Sequence, residues 1–261
     1  MKIQSIPTLT YHKIDFGFEL GLNKIHPSKF NKHIQLLSKK GYKAITTKCE
    51  YSSKKVFITF DDGYQNVLLN ALPIMQKVKF KGIIFVSSNF IGKINNWDIN
   101  FGLNKNRHLS KVEIQELSNN GWEIASHGHN HYAYSKLKLS EIREDLIKSK
   151  NILEDLTGKE VISFTSPFNI MPKEVWELLS EVGYKNIFIQ KSLFSENNKE
   201  FRDLNIIERR SVYCIDSSKN IQKKILNSSK FELIKENTIH SCSKLTVYFK
   251  KIEEANLLPQ S

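Results

Sequence analysis

Short apolar runs, bounded by polar or glycine-containing segments, constrain this chain more than any other feature. Val56-Phe57-Ile58-Thr59-Phe60 and Gly82-Ile83-Ile84-Phe85-Val86 carry almost no polar alternation, and Ile187-Phe188-Ile189 repeats the pattern. A strand that is apolar on both sides must be covered on both, as in a parallel sheet clothed in helices. The intervening segments supply those helices. Phe30, Ile34 and Leu37 fall on one face of a helix opened by Ser28. Ser110-Lys111-Val112-Glu113 has capping-box form ahead of Ile114 and Leu117. Ile142, Leu146, Ile147, Leu153 and Leu156 recur near helical spacing between Ser140 and the stop at Gly158.

Leu9-Thr10-Tyr11-His12, Lys43-Ala44-Ile45-Thr46, Ile162-Ser163-Phe164 and Ile206 to Tyr213 read as further strands. Val67 to Val78 reads as a helix containing Pro73, which predicts either a kink or a first-turn proline after an early break. Pro172 sits where another helix can begin. This βα succession shows no internal repeat and predicts the α/β class. A chain of 261 residues with 40% hydrophobic content is enough for one barrel-sized core, so a single domain over residues 1–261 is expected. Ser192 to Asp203 reads as a polar loop, Leu245 to Phe249 alternates like a strand, and residues 250–261 read as a solvated tail.

The chemistry gathers at two places. The apolar run Val56-Phe57-Ile58 leads through Thr59-Phe60 into Asp61-Asp62-Gly63, which puts two carboxylates at a strand's C-terminal rim, where α/β proteins hold their active sites. Farther on come His127-Gly128-His129-Asn130-His131. Asp-Gly pairs also serve ordinary tight turns, and spaced histidines also serve as caps. Taken together, however, two imidazoles and one carboxylate make a three-ligand metal site with a position left for water. The second carboxylate then remains free to act as a base.

These residues, with Tyr11-His12, Trp122-Glu123-Ile124-Ala125-Ser126 and Phe164-Thr165-Ser166-Pro167-Phe168, resemble the polysaccharide deacetylase family. Its members share the NodB homology domain, also called carbohydrate esterase family 4. The likeness is clearest over residues 6–212. It implies a distorted (β/α) barrel, a divalent metal that is most often Zn2+, and hydrolysis of N-acetyl groups from amino sugars.

Position by position, the resemblance makes Asp62, His127 and His131 the metal ligands and Asp61 the general base. It places Pro167 and Phe168 against the substrate, with a backbone N–H there as a donor to the developing oxyanion. His12 on the first strand and Arg209, or its neighbour Arg210, are further candidates for the pocket, although exposed salt bridging is the commoner fate of such arginines. His240 is the candidate acid for the leaving amine, with His12 and His129 as substitutes. Two positions depart from the family pattern. Thr165 stands where an arginine that orients the base is usual, and Asn169 where a glycine is usual. Those departures keep open a catalytically weakened, glycan-binding relative of the same fold; a deacylase of small non-sugar amides is a further alternative.

A net charge of +12 raises the question of nucleic acid. The lysines are instead scattered as pairs, such as Lys39-Lys40, Lys54-Lys55 and Lys223-Lys224, with no dense block or recognised binding module. A solvated surface is the plain expectation, and an anionic lipid or nucleotide carrier of the sugar, or an acidic membrane surface, is the functional one. Cys49, Cys214 and Cys242 match no disulfide framework or cysteine zinc motif and read as buried or incidental thiols. The start of the sequence has no apolar stretch of signal length, and no window is long enough for a transmembrane span. A cytoplasmic location is the expectation from this sequence, one that a clipped signal would reverse.

Overall fold

A computed structural model describes residues 2–17, 19, 21–51, 54–95, 106–191 and 203–239. Seven parallel strands close into a barrel: β1 (Thr8–Tyr11), β2 (Lys55–Phe60), β3 (Ile83–Val86), β4 (Glu123–Ser126), β5 (Ser163–Phe164), β6 (Asn186–Gln190) and β7 (Asn205–Ser211). Closure runs through β1, where Leu9 lies opposite Ile58 of β2 on one side and Arg210 of β7 on the other. The short strand Lys43–Ala44 adds to the N-terminal end of β2 outside the ring. Seven strands, one of them two residues long, make the barrel an irregular member of its class.

Helices α1 (Pro27–Lys39), α2 (Leu72–Gln76), α3 (Lys111–Asn119), α4 (Leu139–Thr157), α5 (Val175–Glu181) and α6 (Ser218–Ile225) lie around it. Successive strand residues face opposite sides, so two cores form. Phe57, Ile83, Phe85, Ala125, Phe188 and Ile207 fill the barrel interior, with Phe188 edge-on to Phe85 at 5.1 Å and to Phe57 at 6.0 Å. Val56, Ile58, Phe60, Ile84 and Ile187 face outward into the layer beneath the helices. The two-sided apolar pattern of the strands therefore reflects two burial environments.

The capping box at Ser110 and Glu113 forms, and Gly158 ends α4 with φ 64°. Other boundaries differ from expectation for local reasons. His26 caps α1 in place of Ser28, because Pro27 occupies the first turn, where its missing N–H costs nothing. Pro73 falls in the first turn of α2, preceded by a π-helical turn over Val67–Ala71. Ile147 is 40% exposed; Asp145 and Ser149 hold buried places on α4 instead. Helix α5 starts beyond Pro172, at Val175. Residues 230–239 form a further helix after α6, which the sequence pattern does not disclose. Cys49 is exposed and Cys214 half-buried. His240, Cys242, the strand-like Leu245 to Phe249 and the tail lie outside the described residues, as does most of Ser192 to Asp203. Among the described residues no helix is long and apolar enough to cross a membrane.

Candidate metal centre and its base

Strand β2 delivers Asp61 and Asp62 to the C-terminal rim, and the backbone then turns sharply. Asp62 has φ 69° and Gly63 φ 66°, both left-handed. That reversal, rare for a non-glycine residue, lets adjacent carboxylates engage different partners: Asp61 meets Arg209, and Asp62 meets the histidines.

The histidine loop is shaped from α4. The Asp145 carboxylate accepts hydrogen bonds from the backbone N–H of His129 at 2.7 Å and of Asn130 at 2.9 Å, and from the Tyr134 hydroxyl at 2.9 Å. Gly128, at φ 73°, lies so close to this knot that an added Cβ would sit 2.7 Å from an Asp145 oxygen and 2.9 Å from the Tyr134 hydroxyl. Ser149 donates to the Gly128 carbonyl at 3.0 Å. Sequence reasoning misses both Asp145 and Ser149. The available signal is their polarity on an otherwise apolar helix face.

His127, His131 and Asp62 converge. Asp62 Oδ1 lies 3.4 Å from His127 Nε2 and 3.2 Å from His131 Nε2, and the three ligand atoms all fall within 4.8 Å of one another. Zinc–ligand bonds of about 2.0–2.2 Å in a tetrahedron place donors roughly 3.3–3.6 Å apart, so this donor set fits such an ion in both chemistry and spacing. The His127 Nδ1–H points to the Thr165 carbonyl at 2.8 Å, which fixes the tautomer that turns Nε2 toward the other ligands. His131 packs edge-on to Phe168 at 5.0 Å between ring centres. Burial works to raise the Asp62 pKa, but hydrogen bonds from His127 and His131, with the charges of His131 and His12, hold it well below the usual carboxylate range. Burial opposes charge on His127, whereas Asp62 and Asp61 outweigh it and raise the pKa.

Asp61 stands outside the ligand set. Arg209 grips it with two parallel bonds, Nη1 to Oδ1 at 2.7 Å and Nη2 to Oδ2 at 3.0 Å. The sequence places Arg209 toward substrate or solvent; in the fold it is only 3% exposed and turns inward. Its Nη2 also donates to the Thr165 hydroxyl at 2.9 Å, and its guanidinium lies over the Phe85 ring at 5.3 Å. Arg210, the next residue, faces the other way and pairs with the fully buried Glu236 at 3.0 Å.

The remaining candidates are spread around the rim. His12 follows β1, half-buried, and its charge reaches Asp62. His129 is turned away, its Nδ1 paired with the Ser88 hydroxyl at 2.8 Å, and burial with nearby Lys148 lowers its pKa. Pro167 is buried, while Phe168 and Asn169 adopt φ 58° and 52°. Asparagine tolerates that left-handed region better than most residues, so Asn169 accommodates a position where glycine is usual. Its side-chain oxygen also accepts from the Gln190 N–H at 2.7 Å.

Residues 48–187 match the family model described as polysaccharide deacetylase. The chain is 25% identical over 193 residues to the Bacillus subtilis protein YxkH, a match spanning 70% of this chain and 64% of that protein. It is 26% identical over 208 residues to the poly-beta-1,6-N-acetyl-D-glucosamine N-deacetylase of Staphylococcus aureus, covering 76% of this chain and 67% of the relative. Among solved structures, a polysaccharide deacetylase from Bacillus cereus superposes with a TM-score of 0.70 at 25% identity, covering 84% of this chain and 68% of the other. A Streptococcus pyogenes deacetylase in complex with acetate gives a TM-score of 0.71 at 18% identity, with 84% and 97% of the two chains covered, which speaks to the fold.

Proposed function

Since this chain belongs to the polysaccharide deacetylase family, we propose that it is a metal-dependent hydrolase that removes N-acetyl groups from an amino-sugar polymer or its precursor. One observation carries the reading: Asp62, His127 and His131 meet as a three-donor set, while the neighbouring carboxylate, Asp61, is held apart by Arg209. A ligand set and a separately fixed base are the two parts that hydrolysis of an amide by water requires. The likeness to a poly-N-acetylglucosamine N-deacetylase supports the substrate class.

When bound by Asp62, His127 and His131, a divalent metal, zinc by its donors, supplies a Lewis acid for water and the acetamide carbonyl. Asp61 takes the proton of the attacking water as the new carbon–oxygen bond forms, and Arg209 keeps that carboxylate aimed. The Phe168 backbone N–H is the candidate donor to the developing oxyanion. The carbon–nitrogen bond then breaks, the amine takes a proton, and acetate leaves. His12 on the rim is the candidate donor among the described residues, with His240 as its rival. The departures that favour a weakened glycan-binding relative lose force, because Arg209 faces the base and Asn169 adopts the turn.

The test is acetate release, matched by free amine, from free, nucleotide-linked, lipid-linked and polymeric N-acetylglucosamine, with metal added. Stoichiometric acetate and amine from one class supports the reading. A metal-loaded protein that binds the glycan and releases no acetate points to the glycan-binding alternative.

A further inference from the structure

We propose that the flank formed by α1, α6 and the helix over residues 230–239 docks onto an anionic lipid bilayer. The contact is separate from the metal centre and stands whether or not the deacetylase reading does. A groove of about 240 Å³ runs between α1 and α6, lined by Leu36, Leu37, Tyr42, Ile225 and Leu226 together with Lys40 and Lys54. Leu226 is 57% exposed. The helix that follows joins α6 through a hydrogen bond from Asn220 to Glu232 at 2.6 Å and is turned against the usual pattern. It buries Glu232 and Glu236, and it leaves Phe231 72% and Ile234 50% exposed. A surface helix facing only water does the reverse.

The buried charges explain the reversal. Lys224 pairs with Asp216 at 2.7 Å and with Glu236 at 2.9 Å, Arg210 pairs with Glu236, and Lys235 bridges Asp216 and Glu232. Three cations and three carboxylates thus neutralise one another beneath the surface. Above them α1 and α6 contain no Asp or Glu, while Lys32, Lys39, Lys40, Lys219 and Lys223 are exposed. Helical spacing sets Lys32, Lys39 and Lys40 beside Leu36, and Lys223 beside Leu226. Lys54 and Lys230 extend the same basic rim.

Uncompensated lysines around exposed hydrocarbon match an anionic bilayer in two ways. Lipid headgroups neutralise the ammonium groups, and the headgroup–acyl boundary takes Leu226, Phe231 and Ile234. A soluble polyanion engages the lysines alone, and a second copy of this chain sets like charge against like. Lys54 directly precedes β2, so the groove lies toward the lower end of the barrel, away from Asp62, His127 and His131 at the upper rim. Docking there leaves the catalytic rim uncovered.

The experiment is co-sedimentation of the full chain with vesicles of mixed phosphatidylglycerol and phosphatidylcholine, against vesicles of phosphatidylcholine alone, at low and high sodium chloride. Partition onto the anionic vesicles should be at least tenfold stronger and should weaken with salt. A Leu226→Ser, Phe231→Ser double variant should partition at least tenfold more weakly. Lys40→Gln, Lys219→Gln and Lys223→Gln should each weaken partition about fivefold. Circular dichroism and melting temperature should match wild type in every variant, because these side chains are exposed. No partition of the wild type, or equal partition onto neutral vesicles, overturns the proposal. Binding to heparin or duplex DNA as strong as to vesicles, and indifferent to the Leu226→Ser, Phe231→Ser change, makes the flank a polyanion site and overturns it too. So does a dimer in sedimentation that the same double variant abolishes. A protein that releases no acetate yet partitions as stated sinks the deacetylase reading and leaves this one in place.

Discussion

The two ends of the barrel bury carboxylates in opposite ways, although the same strands build both. At the N-terminal end, Glu123 opens β4 and accepts hydrogen bonds from the Thr47 N–H at 2.8 Å, the Thr47 hydroxyl at 2.9 Å and the Ser163 hydroxyl. Burial pushes its pKa up, and those hydrogen bonds only partly offset the push. At the C-terminal end Asp62 is held well below the usual range by imidazoles, and Asp61 faces a guanidinium. Two residues beyond Ser163, β5 gives way to Thr165; just beyond β4 lies His127. Positive φ occurs at both ends: at Asp62, His131, Phe168 and Asn169 on the upper rim, and at Lys54 and Lys79 ahead of β2 and β3. Glu123 is held by hydroxyls and a backbone N–H inside the barrel, whereas the imidazoles beside Asp62 keep that carboxylate charged at the rim.

Removing a ligand should break this contrast most. Asp62→Asn or His127→Ala should lower metal occupancy at least tenfold, by elemental analysis, and take acetate release to background. Asp61→Asn comes next: turnover should fall about 10²-fold or more while metal stays bound. If Asp61→Asn also loses its metal, the division between base and ligand fails. Gly128→Ala adds a Cβ against Asp145 and Tyr134 at a left-handed position. It should cost about 1–3 kcal/mol in denaturant midpoint analysis and reduce metal affinity by loosening the His127 and His131 loop. Unchanged stability and affinity would detach that knot from the site.

The smallest effect belongs to the lower rim. Glu123 has a folded-state pKa above its unfolded value, so its contribution favours folding at pH below about 4.3 and fades as pH rises through the folded value. Glu123→Gln lacks that dependence. Its melting temperature relative to wild type should therefore rise between pH 4 and pH 7, with metal content and turnover unchanged. A variant that loses metal would show that the two rims are not separate.

What is legible in the sequence is what is contiguous. Strands β2 and β3 announce themselves because both of their faces are buried, and Asp62, His127 and His131 lie in two short strings. The metal set needs only those strings to meet. The rest depends on encounters between distant segments. Arg209 beside Arg210 on β7 reads as a pocket residue or a surface charge, with nothing to choose between them, until the sheet places Asp61 behind one and Glu236 behind the other. Asp145 reads as a polar flaw in a helix face until the loop of β4 folds over it. Thr165 reads as a missing arginine; in space it is the seat of one that arrives from another strand. Ile147 keeps helical spacing yet sits exposed, because a periodic stripe marks a face without fixing how wide a strip is covered.

The proposed dependence of deacetylation on one metal ion held by Asp62, His127 and His131 predicts a defined stoichiometry. It is tested most directly by stripping the protein with a chelator and titrating Zn2+ back while following acetate release from N-acetylglucosamine oligomers. Activity should vanish on stripping and return linearly to a break at one equivalent per chain, and a His127→Ala, His131→Ala double variant should show neither binding nor recovery. Acetate release that survives stripping, or one tight equivalent retained by the double variant, would contradict the account.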